Sequence, residues 1–553
     1  MIELLESRIA PAGIIAINLN NKTASWTDFD GDLVTLKWTT GEPSFKASAP
    51  VVTNDSRAVQ VNEIDLNQTA DANDAITVSV KAGPMGDGHV DLGYVNATGV
   101  PLKSFIAPSA SILEFDAGDG THAVGTLTVA SYGTISPDVF PGNGQGLTSG
   151  TVGTINIRGD LVYGSLQLGN NSASIGTVTV GGSLNGKPGD GSAGGGLFLL
   201  GPVNSVTIGH SLIGGTQLDS GTLLIESSLK TALHIGGNII GGSNQLSGKV
   251  EISGASPSAV ITVGGSILGG SVNDSGNLDA NSVKSITVGG DLRGGSAGGT
   301  GLIAVNSAQT ITIKGSVFGG NIATSNTNAV GSVLVSGNLG SLVIDRDLVA
   351  GVYGSSGQNA PNGGIYVSGD LGSLTIHGSV QGDKFFRAII TVTGTTPTKA
   401  GNFNAIGKVT IGGSFEFGIL DSGAGEGTTS NSDLGMAINP DSGIGSVTIG
   451  GDFLHSSILA GTNDLDTIGA GRATANTEFD TQSIGDISRH AVLGSVTIKG
   501  AIQDDFHSTG ESGFEAETIT KIIVDGHQVY KSGQGFKNLD PTGGVFAVEF
   551  PIG

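Results

Sequence analysis

The sequence predicts an all-β protein: a right-handed parallel β-helix (a β-solenoid) of about 13 coils with an N-terminal β-rich cap domain. Three observations predict it. One short phrase recurs along the chain, as in Gly176-Thr-Val-Thr-Val-Gly-Gly-Ser-Leu184, Ser285-Ile-Thr-Val-Gly-Gly-Asp-Leu292 and Ser446-Val-Thr-Ile-Gly-Gly-Asp-Phe453. Glycine supplies 95 of the 553 residues without the collagen period. The apolar residues fall largely in short Val, Ile and Leu runs. A unit repeated in this way buries its apolar face only by stacking on its neighbours.

The phrase sets the coil length. Its central residues are Thr128, Asn156, Thr179, Thr207, His234, Thr262, Thr287 and Thr312, at separations of 28, 23, 28, 27, 28, 25 and 25. Beyond Thr312 the spacing widens to 31, 32, 35, 38 and 49, through Val343, Thr375, Thr410, Thr448 and Thr497. One unit shows how residues make a coil. Ile286 and Val288 point one way and Thr287 the other, the period-two signature of a strand. Gly289-Gly290 bends the chain, Leu292 points inward again, and Gly294-Gly295 makes the next corner. Leu302-Ile-Ala-Val305 supplies a third short strand before the phrase returns at Thr310.

The expected organisation follows. Residues 1–13 are read as a leader or a sorting and assembly segment. Residues 14–117 form the cap or a small sandwich, with strands such as Leu33-Val-Thr-Leu-Lys-Trp38 and Ala75-Ile-Thr-Val-Ser-Val80 between Asp, Asn and Gly turns. Repeats occupy 118–505. Residues 506–553 carry two strands outside the phrase, Lys521-Ile-Ile-Val-Asp-Gly526 and Gly544-Val-Phe-Ala-Val-Glu-Phe550, which close the last coil or offer an edge to another subunit.

Composition narrows the function. A net charge of −23, from 48 acidic against 25 basic residues, disfavours a nucleic-acid partner, because phosphate binding needs a Lys/Arg footprint. The absence of cysteine removes thiol catalysis, thiolate metal sites and disulfides. Aromatics are 5% of the chain, and both tryptophans, Trp26 and Trp38, precede the repeats. No run approaches the 18 apolar residues of a membrane helix. The first 13 residues lack the basic region and long apolar core of a secretory signal, so export would use an unusual leader or an upstream one.

Few motifs carry chemistry. Asp28-Phe-Asp-Gly-Asp32 is the metal candidate, with Asp28, Asp30 and Asp32 as ligands and Ca2+ as the cation. It lacks the glutamate at the twelfth position of an EF-hand loop, and a hairpin turn between Trp26 and Leu33 accounts for it equally well. Asp116-Ala-Gly-Asp-Gly120 is a weaker version. Gly294-Gly-Ser-Ala-Gly298 matches a nucleophile elbow and Gly189-Asp-Gly-Ser-Ala-Gly194 a dinucleotide fingerprint. Both are expected accidents of glycine content, since neither is followed by a plausible helix. Glycan-active β-helices need clustered carboxylates, or a carboxylate beside Arg or Lys. The one adjacent acidic pair in the coils is Asp504-Asp505, and His210 and His377 read as outward substitutions in the phrase. No catalytic residue and no organic cofactor is assigned, and the chain is expected not to be an enzyme.

The opening Leu4-Leu-Glu-Ser-Arg-Ile-Ala-Pro-Ala12 is similar to the N-terminal LESRIAPA and LEPR segments on large glycine-rich repeat proteins of planctomycete and verrucomicrobial bacteria. Trp26-Thr-Asp-Phe-Asp-Gly-Asp-Leu-Val-Thr-Leu-Lys37 and Gly86-Asp-Gly-His-Val-Asp-Leu-Gly-Tyr-Val-Asn-Ala-Thr-Gly99 resemble that group too. The resemblance implies a surface or extracellular protein and brings no functional residues. The expectation is a structural protein of the cell surface that self-assembles into a filament, lattice or coat through strand edges at the solenoid ends. The alternative is a β-helix that binds or cleaves glycans, with cell-surface glycans as partners.

Overall fold

The computed structural model describes residues 15–48, 60–133, 145–186, 194–322, 329–353, 362–384, 386–395, 401–423, 439–461, 489–503, 512–539 and 545–549. Among them the chain is all-β, with one single-turn 3-10 helix at Thr69–Asp71 and no α-helix. It divides into two compact units, residues 1–235 and 236–553. The proposed segment 1–13, Asp504-Asp505 and most of Gly189–Gly194 lie outside the described residues.

The first unit begins antiparallel and becomes parallel. Thr23–Thr27 pairs antiparallel with Leu33–Lys37, which pairs antiparallel with Ala75–Lys81. On its other side Ala75–Lys81 is parallel to Leu102–Gly118. A single strand therefore splices the hairpin onto the coils, and parallel stacking starts upstream of Ala117. From there one position runs straight through the unit. Thr77 stands beside Ile106, Ile106 beside Thr128, and the column continues through Asn156, Thr179, Thr207 and His234. A second parallel column contains Gln145–Leu147, Ser165–Leu168, Gly196–Leu199 and Leu223–Ile225.

The second unit is solenoid-like, with three short strands to a coil. Thr262, Thr287, Thr312, Val343, Thr375, Thr410, Thr448 and Thr497 are successive partners across the phrase strands. These partners match the register read from the repeat, including the step where the spacing reaches 49 residues. Thr518–Val524 extends the same column, with Ile523 beside Thr497. It belongs to the stack although its sequence departs from the phrase. Its chain then turns back at Asp525-Gly526, both with positive φ (48° and 74°), the geometry of a type I′ hairpin, and pairs with His527–Lys531.

Two ladders hold the coils together. Inward residues stack into an apolar one: Ile286, Ile311, Leu342, Leu374, Val409, Val447, Val496 and Ile522 are all buried. Each such side chain contributes about 1.5–3 kcal/mol on leaving water. Toward the C-terminal side larger rings fill the core, with Phe415, Phe453 and Phe514 stacked at 5.8 and 4.8 Å. The second ladder is polar and runs along the corner after the phrase. Asn238 accepts from the Ser266 N–H, Ser266 from Asp291, Asp291 from Ser316 and Ser316 from Asp347, at 2.7–3.2 Å. The series continues through Ser379, Ser414 and Asp452 to Ala501, which has no oxygen with which to pass it on. This explains why the residue before the final apolar position of the phrase is Ser, Asp or Asn in the coils up to Asp452. Its side-chain oxygen satisfies a backbone donor of the next coil that the bend removes from the strand ladder.

A second corner needs glycine. Gly248, Gly276, Gly301, Gly331 and Gly363 all have φ between +56° and +77°. A Cβ at Gly276 would also lie 2.1 Å from the Leu268 carbonyl oxygen. Handing the chain to the next coil here requires the left-handed region.

Asp291→Ala should therefore lower stability by about 1–3 kcal/mol, because it strands the Ser316 N–H, whereas Asp291→Ser should be nearly neutral. Lys314→Ala, exposed in the next coil, should stay within about 0.5 kcal/mol. Urea unfolding of the three variants measures the contrast, and equal effects would rule out the ladder as the cause.

Candidate functional site

Two clusters of charged side chains stand out among the described residues, one in each unit. The first is the Asp28–Asp32 turn. Trp26 faces Val34 across the hairpin, so the five residues between strands must reverse the chain. The Asp28 N–H donates to the Asp32 carbonyl at 3.0 Å, the Asp32 N–H donates to Asp28 Oδ1 at 2.8 Å, and Gly31 takes φ 99°. The hairpin reading and the cluster reading are thus both realised. Carboxylate oxygens of Asp28, Asp30 and Asp32 lie within 4.8 Å of one another.

The loop opposite closes over the turn. Asp32 is fully buried, accepting from the Gly83 N–H at 2.7 Å and the Gly88 N–H at 2.6 Å, while Asp30 accepts from the Asp87 N–H at 3.1 Å. A Cβ at Gly86 would fall 1.3 Å from Asp32 Oδ1, so only glycine permits this approach. Burial, reinforced by a hydrogen bond to Asp30, pushes the Asp28 carboxyl up to about 7. The same hydrogen bond holds Asp30 below the usual carboxylate range. Asp28 and Asp30 form an acid–carboxylate pair that holds one proton near neutrality. The three carboxylates are thus gathered in one turn, with both Asp32 oxygens already engaged by backbone N–H groups.

The Asp116–Gly120 string behaves differently. Asp116 accepts from the Tyr94 hydroxyl and the Leu147 N–H, and Asp119 caps the Thr121 and His122 N–H groups. These two carboxylates do not converge; each is committed to local backbone or hydroxyl donors.

The second cluster was not legible as a motif. Lys249 is buried, with Nζ 2.9 Å from Glu251 Oε2 and 2.8 Å from Asp279 Oδ2. Glu251 and Asp279 are partners in neighbouring parallel strands, Val250–Ile252 and Leu278–Val288. Both face a shallow groove of about 410 Å3. Ala304 and Leu334, the next two rungs of the same column, also line it. Ser253, Asn281, Asn306 and Ser336 line the polar rim. Burial raises the Asp279 carboxyl above its usual range despite Lys249, while the two carboxylates keep the Lys249 ammonium high against its own burial. The Glu251–Asp279 pair is thus separated by a coil in sequence and does not show as adjacent acidic residues. Aligning Val250-Glu-Ile252 with Leu278-Asp-Ala280 would have found it.

Gly294–Gly298 is a corner leading to the strand Ile303–Ile313, and the Ser296 N–H donates to the Gly270 carbonyl of the preceding coil. His377 points outward, 60% exposed, 3.2 Å from Asp345, and His210 is exposed. No helix among the described residues is long and apolar enough to cross a membrane. No protein-family model, curated protein or solved structure matches the chain.

The Asp28 carboxyl gives a pH prediction with a definite sign. With its folded pKa near 7 against an ordinary 3.8, it stabilises fully below about pH 3.8, and that contribution is lost as pH rises through 7. Asp71 and Asp91, raised by burial, act in the same direction. Asp30 opposes them only as pH falls below the ordinary carboxylate range. Melting followed by the fluorescence of Trp26 and Trp38 should show the first unit weakening between pH 4 and 8. Asp28→Asn should flatten that profile, and an unchanged slope would exclude Asp28 as its source.

Proposed function

We propose that this chain is a structural protein of the bacterial cell surface or extracellular matrix, assembling with copies of itself through exposed strand edges. The observation that carries the reading is the pair of ladders, apolar and polar, that joins coil to coil in the second unit. Such a stack satisfies its own backbone without a ligand and supplies stiffness, which is what a coat or filament subunit needs.

The edges favour a head-to-tail contact. Ala16–Asn18 is an exposed strand paired with Thr23–Thr27; Ile17 within it and Leu19 just after it are 51% and 58% exposed. In the second unit the outer strands are His527–Lys531 and Lys537–Asn538, flanked by Phe536 at 58% exposure. These edges are short, and the second carries lysines, features that discourage indiscriminate pairing. Two unlike surfaces make a heterologous contact, which propagates into an open filament. Ca2+ at Asp28, Asp30 and Asp32 belongs to the same reading, since it would stiffen the turn next to the first edge. The resemblance of the opening segment to bacterial repeat proteins supports the surface location, and no catalysis is assigned.

Electron microscopy at rising protein concentration tests the proposal. Filaments or sheets should form with Ca2+ and thin out in chelator, and Ile17→Lys should suppress them without altering the circular dichroism. Monodisperse particles under every condition would end the self-assembly reading.

A further inference from the structure

We propose that Lys249 and Asp279 condense to an intramolecular amide, with Glu251 carrying the proton, so that two consecutive coils become covalently joined. This goes beyond the assembly role and uses none of its residues.

The placement of the lysine is the first observation. The residues just ahead of the strands Val250–Ile252, Leu278–Val288, Ile303–Ile313, Val333–Val335 and Ile365–Val367 are Lys249, Asn277, Leu302, Ser332 and Gly364. All of them are buried. The column therefore accepts a neutral side chain, or none, at a position where one coil carries an ammonium. A buried ammonium is costlier than a neutral residue even when it is paired, so packing does not account for it. A reaction that consumes the charge does.

The geometry is the second. Lys249 Nζ lies 2.8 Å from Asp279 Oδ2 and 2.9 Å from Glu251 Oε2, so nucleophile, electrophile and proton carrier already touch. The Asp279 carboxyl carbon is one bond beyond Oδ2, which brings the nitrogen toward the roughly 3–3.5 Å of a near-attack arrangement. Both partners are held by one fold, and that gives them an effective concentration that a free amine and acid do not reach in water. The lysine is 10% exposed, while Glu251 at 40% and Asp279 at 30% border the groove. The nucleophile is thus shielded, and the leaving water has an exit.

The protons balance within the triad. One proton first crosses a single hydrogen bond, from Nζ to Asp279, leaving a free amine and a carboxylic acid. Burial favours this transfer: it pushes the Asp279 carboxyl above its usual range and opposes the charge on Lys249. The two carboxylates nevertheless hold the ammonium up overall, so the neutral pair is a minor population and closure is slow. The amine then adds to the Asp279 carboxyl carbon. Glu251 takes a proton from the nitrogen and returns it to the departing Asp279 oxygen. A C–N bond forms, a C–O bond breaks and water leaves, with no change in oxidation state. Glu251 ends ionised, as it began, and the stack holds a neutral amide where it held a buried cation.

Intact mass and peptide mapping of the full chain test the proposal. Trypsin should leave residues 231–284 as one piece, uncut after Lys249 and lighter by one water than its sequence requires. A further cut after Glu251 should give segments 231–251 and 252–284 that remain joined. Full mass and normal cutting after Lys249, persisting through long incubation at neutral and mildly alkaline pH, would overturn the proposal. Lys249→Arg keeps the cation but cannot close, so it should show full mass and melt below the native chain. Loss of water that survives in Lys249→Arg would place the reaction elsewhere and overturn the proposal equally. Timed from cell-free synthesis, Glu251→Gln should accumulate the amide about a hundredfold more slowly. Closure of that variant at the native rate would remove Glu251 from the mechanism.

Discussion

Coil-to-coil register is the constraint on which the rest of this structure depends. In a parallel ladder each side chain meets its counterpart one coil away, and a slip of one residue would exchange the inner and outer faces. The chain fixes register twice. Apolar residues such as Ile286 and Ile311 lock the inside by burial, and the Asn, Ser and Asp oxygens of the corner lock the bend by hydrogen bonding to the following coil. The first term is large but indifferent to which aliphatic residue is used. The corner bond is small but positional, since only a short side chain bearing an acceptor reaches the next N–H. Together they make one register preferable without requiring identical coils.

That division of labour explains why coils of unequal length coexist. The step from Thr448 to Thr497 is nearly twice that from Thr287 to Thr312, yet both pairs sit side by side. The entropic cost of closing a longer loop grows only logarithmically, by about 0.6 kcal/mol for each doubling, so an insertion at a corner is a minor penalty against an intact ladder. Insertions are also matched by filling. The wide coils place Phe415, Phe453 and Phe514 in the core where shorter ones place Leu, Ile or Val.

Much of this was legible in the sequence because the repeat is itself a register statement. The columns from Thr128 to His234 in the first unit and from Thr262 through Val343 to Thr497 in the second could be read from the phrase, even where His234 or Val343 replaced threonine. It was less legible at the margins. Ile106 and Ile523 occupy the outward position where the phrase carries threonine, and the glycine pair that marks the bend is missing after both. There the ladder continues through backbone pairing and inward Phe105 or Ile522, which no search for the phrase detects. The candidate sites divide in the same way. Asp28, Asp30 and Asp32 lie in one turn, so their sequence proximity carries over to three dimensions. Lys249, Glu251 and Asp279 come together only after one coil has been laid upon the next.

A solenoid therefore writes its surface chemistry in columns. In the interior a column of like residues is favourable, because methyl groups stack without penalty. On the outside a column of like charges is not, and an acidic protein of net charge −23 has to keep its carboxylates out of step or supply a counterion. At Glu251 and Asp279 it does the latter, with a lysine drawn almost wholly into the stack. At Asp28 and Asp30 it does so with a shared proton. Each cluster relies on a partner placed by the fold, an ammonium in one and a proton in the other. The turn holds its carboxylates together with a titratable proton, whereas the ammonium at Glu251 and Asp279 is covalently fixed to the chain.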